Sequence, residues 1–214
     1  MTNQRIAKKL SKYQLVLANA TDPEILNATT NFNFTAEKIT EGAGLLSTAL
    51  QQNILQEKEY GEQYSATDKL NKAIQEFHSS YYIPQLQLAR KLFPNDPGIR
   101  ASLCLDGSRK ANYDEWSNEA NLFYNNALST PQIMTRFALV NVTEEVLQAG
   151  LDQLTQIGQL RAIQRNESGE AQQATDKRDK ALDEINQWMS LYFTVAKIAL
   201  ADKPQLLEKL GIKA

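Results

Sequence analysis

The chain is written twice. Asn31–Ile83 matches Leu139–Leu191 at a displacement of 108 positions, with 17 identities in 53 aligned positions and no gap. The identities include Gly42/Gly150, Leu46/Leu154, Gly61/Gly169, Glu62/Glu170 and the block Ala66-Thr67-Asp68-Lys69/Ala174-Thr175-Asp176-Lys177. One residue then drops out, and Ala89/Ala196, Pro97/Pro204 and Leu103/Leu210 match at 107. Upstream, Pro23-Glu24-Ile25 faces Pro131-Gln132-Ile133. Two unrelated Gln- and Ala-rich helical segments would not share glycines and prolines, since helical composition does not place them. The expected organisation is a tandem duplication, with one repeat at 1–107 and a second at 108–214, packed together as one bundle. Two copies are too few for a solenoid, which needs about three to bury a continuous core. A closed, pseudo-twofold object is the alternative.

Each copy reads as helix throughout. Only 9 Gly and 6 Pro occur in 214 residues, which disfavours a sheet-rich fold. Ile6, Leu10, Tyr13 and Leu17 recur at i, i+4, i+7 and i+11, one face of an N-terminal helix spanning 3–20. Arg5, Lys8, Lys9 and Lys12 lie largely off that stripe. They suit either an anchor for an anionic surface or the solvated side of a docked helix, and the docked helix is favoured. Tyr113–Leu128 repeats its role, with Trp116, Leu122, Phe123 and Tyr124 as bulk. Asp22-Pro23 and Thr130-Pro131 look like N-caps followed by Pro at the first helical position. Thr35 and Thr143 look like caps of the main helices, with Glu37, Glu144 and Glu145 placed for the helix dipole. Asp96-Pro97 and Lys203-Pro204 open a short last helix in each copy, and Asp106–Lys110 is the linker.

The middle of each copy admits two forms. Leu147, Leu151, Leu154 and Ile157/Gly158 form one apolar stripe, and Leu182, Ile185, Met189, Tyr192 and Ala196 another. Gln164–Lys180 between them holds no large apolar residue. Either the chain turns back near Gly61 and Gly169, bringing Leu154 beside Ile185 and Leu147 near Leu191, or each copy holds one helix of nearly sixty residues. A close helix crossing needs buried apolar surface, so the polar middle favours hairpins. A lone glycine is nonetheless a poor loop, because helix–helix connections usually take about 2–5 residues. The expected fold is therefore an all-α, tandem-duplicated antiparallel helical bundle with long hairpins and pseudo-twofold symmetry.

Little chemistry is visible. A dimetal carboxylate site in a bundle needs Glu-x-x-His pairs. The single histidine, His78, has Gln75 where the glutamate would stand, and the second copy has Asn186 in its place. His78 remains a lone candidate for a haem-type ligand, against the plainer role of a helical surface or core histidine. There is no zinc spacing and no phosphate-cradling loop; Gly42-Ala43-Gly44 lies within a helical pattern. The one cysteine, Cys104, excludes an internal disulfide and packs as a small hydrophobe where its mate is Gly211. Asp68-Lys69 with Lys72, and Asp176-Lys177 with Lys180, are solvated helix charges; if they sat on two like tips they would suit bivalent docking. No catalytic, metal or cofactor residue is nominated, no cofactor is expected, and a small-molecule ligand is left unspecified.

A net charge of −2 gives no strong field for nucleic acid. The most apolar run, Met189–Ala201, is shorter than the roughly 20 residues that span a bilayer. The N-terminus lacks an apolar signal core. These features suggest a cytoplasmic protein. The ending Ile198–Ile212 and the pattern Gly-Glu-x-x-x-Ala-Thr at 61–67 and 169–175 resemble a group of uncharacterised all-helical bacterial proteins. The resemblance implies an all-α duplicated fold and a bacterial origin, and carries no catalytic residue. The expected function is a non-enzymatic helical scaffold or protein–protein interaction module, with a protein partner or self-association. The alternatives are a ligand or haem carrier using the bundle core and a membrane-active helical protein.

Overall fold

The computed structural model describes residues 3–212. Of the described residues 83 % are helical, and none lies in a strand. The helices are α1 (Asn3–Asn19), α2 (Pro23–Thr30), α3 (Ala36–Glu76), a π-helical segment (Phe77–Tyr82), α4 (Ile83–Leu92) and α5 (Pro97–Ser102). They continue with α6 (Tyr113–Ser129), α7 (Pro131–Ala138), α8 (Glu144–Ala199) and α9 (Pro204–Lys209). Among the described residues no helix is long and apolar enough to cross a membrane.

Helix starts follow local chemistry. The backbone N–H groups of Glu24 and Ile25 donate to Asp22 Oδ1 at 3.0 and 3.5 Å. Ile99 N–H donates to Asp96 Oδ1 at 3.0 Å. Each aspartate thus satisfies donors that the first turn leaves free. Thr35 and Thr143 accept from Lys38 and Val146 N–H at 3.5 and 3.4 Å. Thr130 precedes its proline as expected but makes no side-chain capping bond. Before the two long helices the chain turns through a left-handed asparagine, Asn33 at φ 65° and Asn141 at φ 60°. The bond Phe34 N–H to Thr29 O, 3.2 Å, has its counterpart in Val142 N–H to Phe137 O, 3.1 Å.

The expected hairpins are absent. α3 runs 41 residues through Gly61, and α8 runs 56 residues through Gly169. Leu147 and Leu154 consequently join a different core from Ile185. The polar middle is not unpacked: Ala66, Leu70, Ala171 and Ala174 are buried there. Alanine supplies apolar contact that a search for large side chains overlooks. A β-carbon at Gly61 or Gly169 would meet nothing within 4 Å. These glycines therefore cost each helix only about 1 kcal/mol against alanine, less than reopening its backbone bonds at a break.

Two compact units result. The first comprises Met1–Gly61 with Gly169–Ala214, the second Glu62–Ser168. Each draws on both sequence halves. In the first, Ile6, Leu10, Tyr13 and Leu17 pack into one core with Leu182, Ile185, Met189 and Tyr192. Tyr13 OH donates to Asn186 Oδ1 at 2.9 Å. The Trp188 and Tyr192 rings stack at 5.4 Å, and the Trp188 ring packs so closely on Gly42 that a β-carbon there would lie 2.6 Å from it.

In the second unit Phe77, Tyr82, Trp116, Phe123 and Tyr124 form an aromatic core with Leu147, Leu154 and Ile157. Phe77 stacks on Tyr82 at 5.7 Å with the planes 10° apart. A β-carbon at Gly150 would overlap the Tyr124 ring. Leu122, expected in the core, is 43 % exposed; Leu151 is half-buried and Gly158 exposed. The helix presents Phe123 and Tyr124 inward, which turns Leu122 to solvent.

Candidate functional site

Chemistry-bearing side chains of the second unit gather where the helix is π-wound. His78 is half-buried, with Trp116 at 4.7 Å, Phe77 at 5.8 Å and Tyr82 at 6.1 Å between ring centroids. Its Nδ1 is buried and has no hydrogen-bond partner. Burial holds the imidazole below its ordinary pKa, and the Arg109 charge adds to that, so the ring is neutral at pH 7. Tyr82 is pushed up to about 12, chiefly by burial and then by Glu119. Cys104 stands at φ 50°, in the left-handed region that favours glycine. Burial, then Glu119, raises its thiol, so the sulfur is protonated and a poor nucleophile at neutral pH. Cys104 is half-buried, and His78 stands among three aromatic rings with its Nδ1 unpartnered.

The charged pairs singled out in the sequence lie on helix interiors, not on tips. Lys72 Nζ pairs with Asp68 at 2.7 Å within α3, both well exposed. On α8, Gln172 donates to Asp176 Oδ1 at 3.0 Å. Lys177 borders an open depression of about 260 Å³ in the first unit, with Gln52, Leu55, Glu59 and Gln173 also on its wall. A surface pair of this kind contributes at most about 1 kcal/mol.

The surface also carries a feature that residue type alone does not announce. Phe32 is 44 % exposed and Val140 is 39 % exposed. Each stands immediately before the left-handed asparagine of its turn, and the two are 108 positions apart. Leu139, 78 % exposed, and Val146, 40 % exposed, enlarge the apolar surface on the second unit. The turn backbones are held by Asn33 N–H to Thr30 O at 2.9 Å and Asn141 N–H to Ala138 O at 3.2 Å. Each turn thus holds an apolar side chain partly in water beside a hydrogen-bonded backbone. In the sequence, Phe-Asn-Phe at 32–34 and Val-Asn-Val at 140–142 signal it through an apolar residue on each side of a turn asparagine.

No family model, curated protein or solved structure matches this chain.

Proposed function

We propose that this chain is a cytoplasmic, non-enzymatic helical interaction module, built by tandem duplication, that offers one apolar turn twice. The observation that carries this reading is the pair Phe32 and Val140, exposed at matching positions of matching turns. Duplication is supported at both ends of the copies. The left-handed residues pair as Asn33/Asn141 at 108 and Cys104/Gly211 at 107. The bond Leu105 N–H to Arg100 O, 2.9 Å, is matched by Ile212 N–H to Leu207 O, 2.9 Å.

The register change falls inside the π-helix. Phe77-His78 and Ile185-Asn186 share the order buried, half-buried at 108; Tyr82 and Met189 are both buried at 107. The extra residue is one of Ser79-Ser80, and a residue inserted into an α-helix is accommodated as a π-bulge. Both cores are completed by the opposite copy, the partition that a closed twofold pair of single copies would give.

Two docking points on one chain raise avidity when a partner engages both. The test places a photo-crosslinking residue at position 32, at 140, or at the exposed Thr194, in the native host. Discrete adducts shared by 32 and 140, absent from 194 and lost from each site when the other turn carries an aspartate, support the reading. Indistinguishable adducts from all three positions overturn it.

A further inference from the structure

We propose that copies of this chain associate through the outer faces of α1 and α6, the basic face of one molecule seating on the acidic face of the next. α1 carries Arg5, Lys8, Lys9 and Lys12 and no carboxylate; α6 carries Asp114, Glu115 and Glu119 and no cation. The inner faces of the two helices superpose at a displacement of 107: Val16/Phe123, Leu17/Tyr124 and Ala20/Ala127 are buried on both sides. In that register Lys8 stands where Glu115 does, Lys12 where Glu119 does, and Leu15 where Leu122 does.

Positions i, i+4 and i+7 share one helix face. The two faces therefore have a similar plan, with the charges reversed and the leucine kept, although Glu119 is half-buried and its charge also reaches Tyr82 and Cys104. Leu15 is 53 % exposed and Leu122 is 43 % exposed. Lys8, Lys12 and Glu115 are exposed and Glu119 half-buried, and among the described residues none has an ion pair. Lys12 Nζ lies 5.2 Å from the centre of the Phe193 ring, which steadies it at the surface.

Opposite charge at matching positions makes each face repel its own kind and attract the other, which selects one pairing among copies. The exposed leucines provide the apolar centre that charges alone lack. The α1 stripe Ile6, Leu10 and Tyr13 is buried in its own core, so only the charged outer face is free for a partner. This register is set by the matching burial of the two helices, one residue short of the 108 that relates Pro23 to Pro131, and the opposite charge of the two helices does not depend on it.

The test is sedimentation velocity of the full chain across a concentration series at low and high salt, with circular dichroism confirming each fold. The wild type should associate, and the association should weaken by at least about tenfold at 1 M salt as the charges are screened. Lys8→Glu/Lys12→Glu and Glu115→Lys/Glu119→Lys should each be monomeric alone and should associate when mixed. The fourfold exchange in one chain should restore self-association. Should Glu119→Lys disturb the fold, Glu115→Lys alone still weakens the assembly. Phe32→Ser/Val140→Ser should leave this assembly intact, which separates it from the turn-mediated function. Overturning results are a wild type monomeric at every concentration, or a mixture of the two reversed variants that stays monomeric. Also overturning is a monomeric wild type that pellets with phosphatidylserine vesicles through Lys8 and Lys12, because a lipid surface is then the occupant.

Discussion

The first unit is built on regular α-helix where the second is π-wound, and their cores differ accordingly. In the first, Trp188 and Met189 follow Asn186 after one residue and both are buried. In the second, His78 is followed by two exposed serines before Tyr81 and Tyr82. The extra residue keeps Tyr82 in the core but leaves Tyr81 half out of it. A single added residue in a long helix would otherwise rotate everything after it by about 100°. The π-helix absorbs that rotation within six residues, so both ends of the helix keep their inward faces. If the two halves are copies, as proposed above, one plan of packing tolerates a change in length that is confined to a bulge.

The largest effect expected is that of splitting the chain. A fragment of residues 109–214 carries Leu147 and Leu154 from one core and Ile185, Met189 and Tyr192 from the other, each without its counterpart from the first half. It should be helical and dimeric, each copy completing the other. Light scattering on the purified fragment checks this; a cooperatively melting monomer would show that one copy closes a core by itself.

Among point substitutions Ile185→Ala should cost most, roughly 2–5 kcal/mol, since the side chain is 0 % exposed. Leu154→Ala belongs at the lower end of that range, its side chain being 8 % exposed. Urea midpoints at an unchanged m value would measure both.

Deletion sharpens the comparison of the two helices. Removing Ser80 should convert the π-segment to α-helix and leave the fold intact. Removing Gln187, at the corresponding place in α8, leaves no spare residue and should lower the melting temperature far more. Equal losses for the two deletions would mean that the bulge carries no inserted residue.

Legibility followed the range of the interactions. Caps such as Asp22 and Asp96 were readable because the donor lies two or three residues away. The stripe Leu182, Ile185, Met189 and Tyr192 was readable because periodicity reports burial. The run through Gly61 and Gly169 was not, because Ala66, Ala171 and Ala174 pack without bulk and a lone glycine does not decide between turn and helix. The change of displacement was visible as a gap, yet a gap names no conformation; that Phe77–Tyr82 is π-wound is seen only in the backbone. At Cys104 the mate Gly211 was legible, while its left-handed backbone was not.

That mismatch predicts a small gain. A non-glycine residue in the left-handed region costs roughly 1–2 kcal/mol, and glycine gives back roughly 0.5–1 kcal/mol in unfolded-chain entropy. Cys104→Gly should therefore stabilise the protein by about 0.5–1 kcal/mol. Gly211→Cys, at φ 66°, should lose a comparable amount. Chemical denaturation under reducing conditions reads both signs; destabilisation by Cys104→Gly would show that packing of the sulfur outweighs the backbone strain.

The smallest effect belongs to Gln172→Ala. Gln172 is exposed on α8, and its bond to Asp176 Oδ1 spans one helical turn at the surface. Alanine loses that bond but is the better helix former, so the two changes oppose each other. The net should lie within about half a kcal/mol. The substitution separates two kinds of neighbour on one helix, since Ala171 and Ala174 on either side are buried while Gln172 is not. A melting shift as large as that of Ile185→Ala would place Gln172 inside a packed surface and undo the assignment of Ala171 and Ala174 as the inward face.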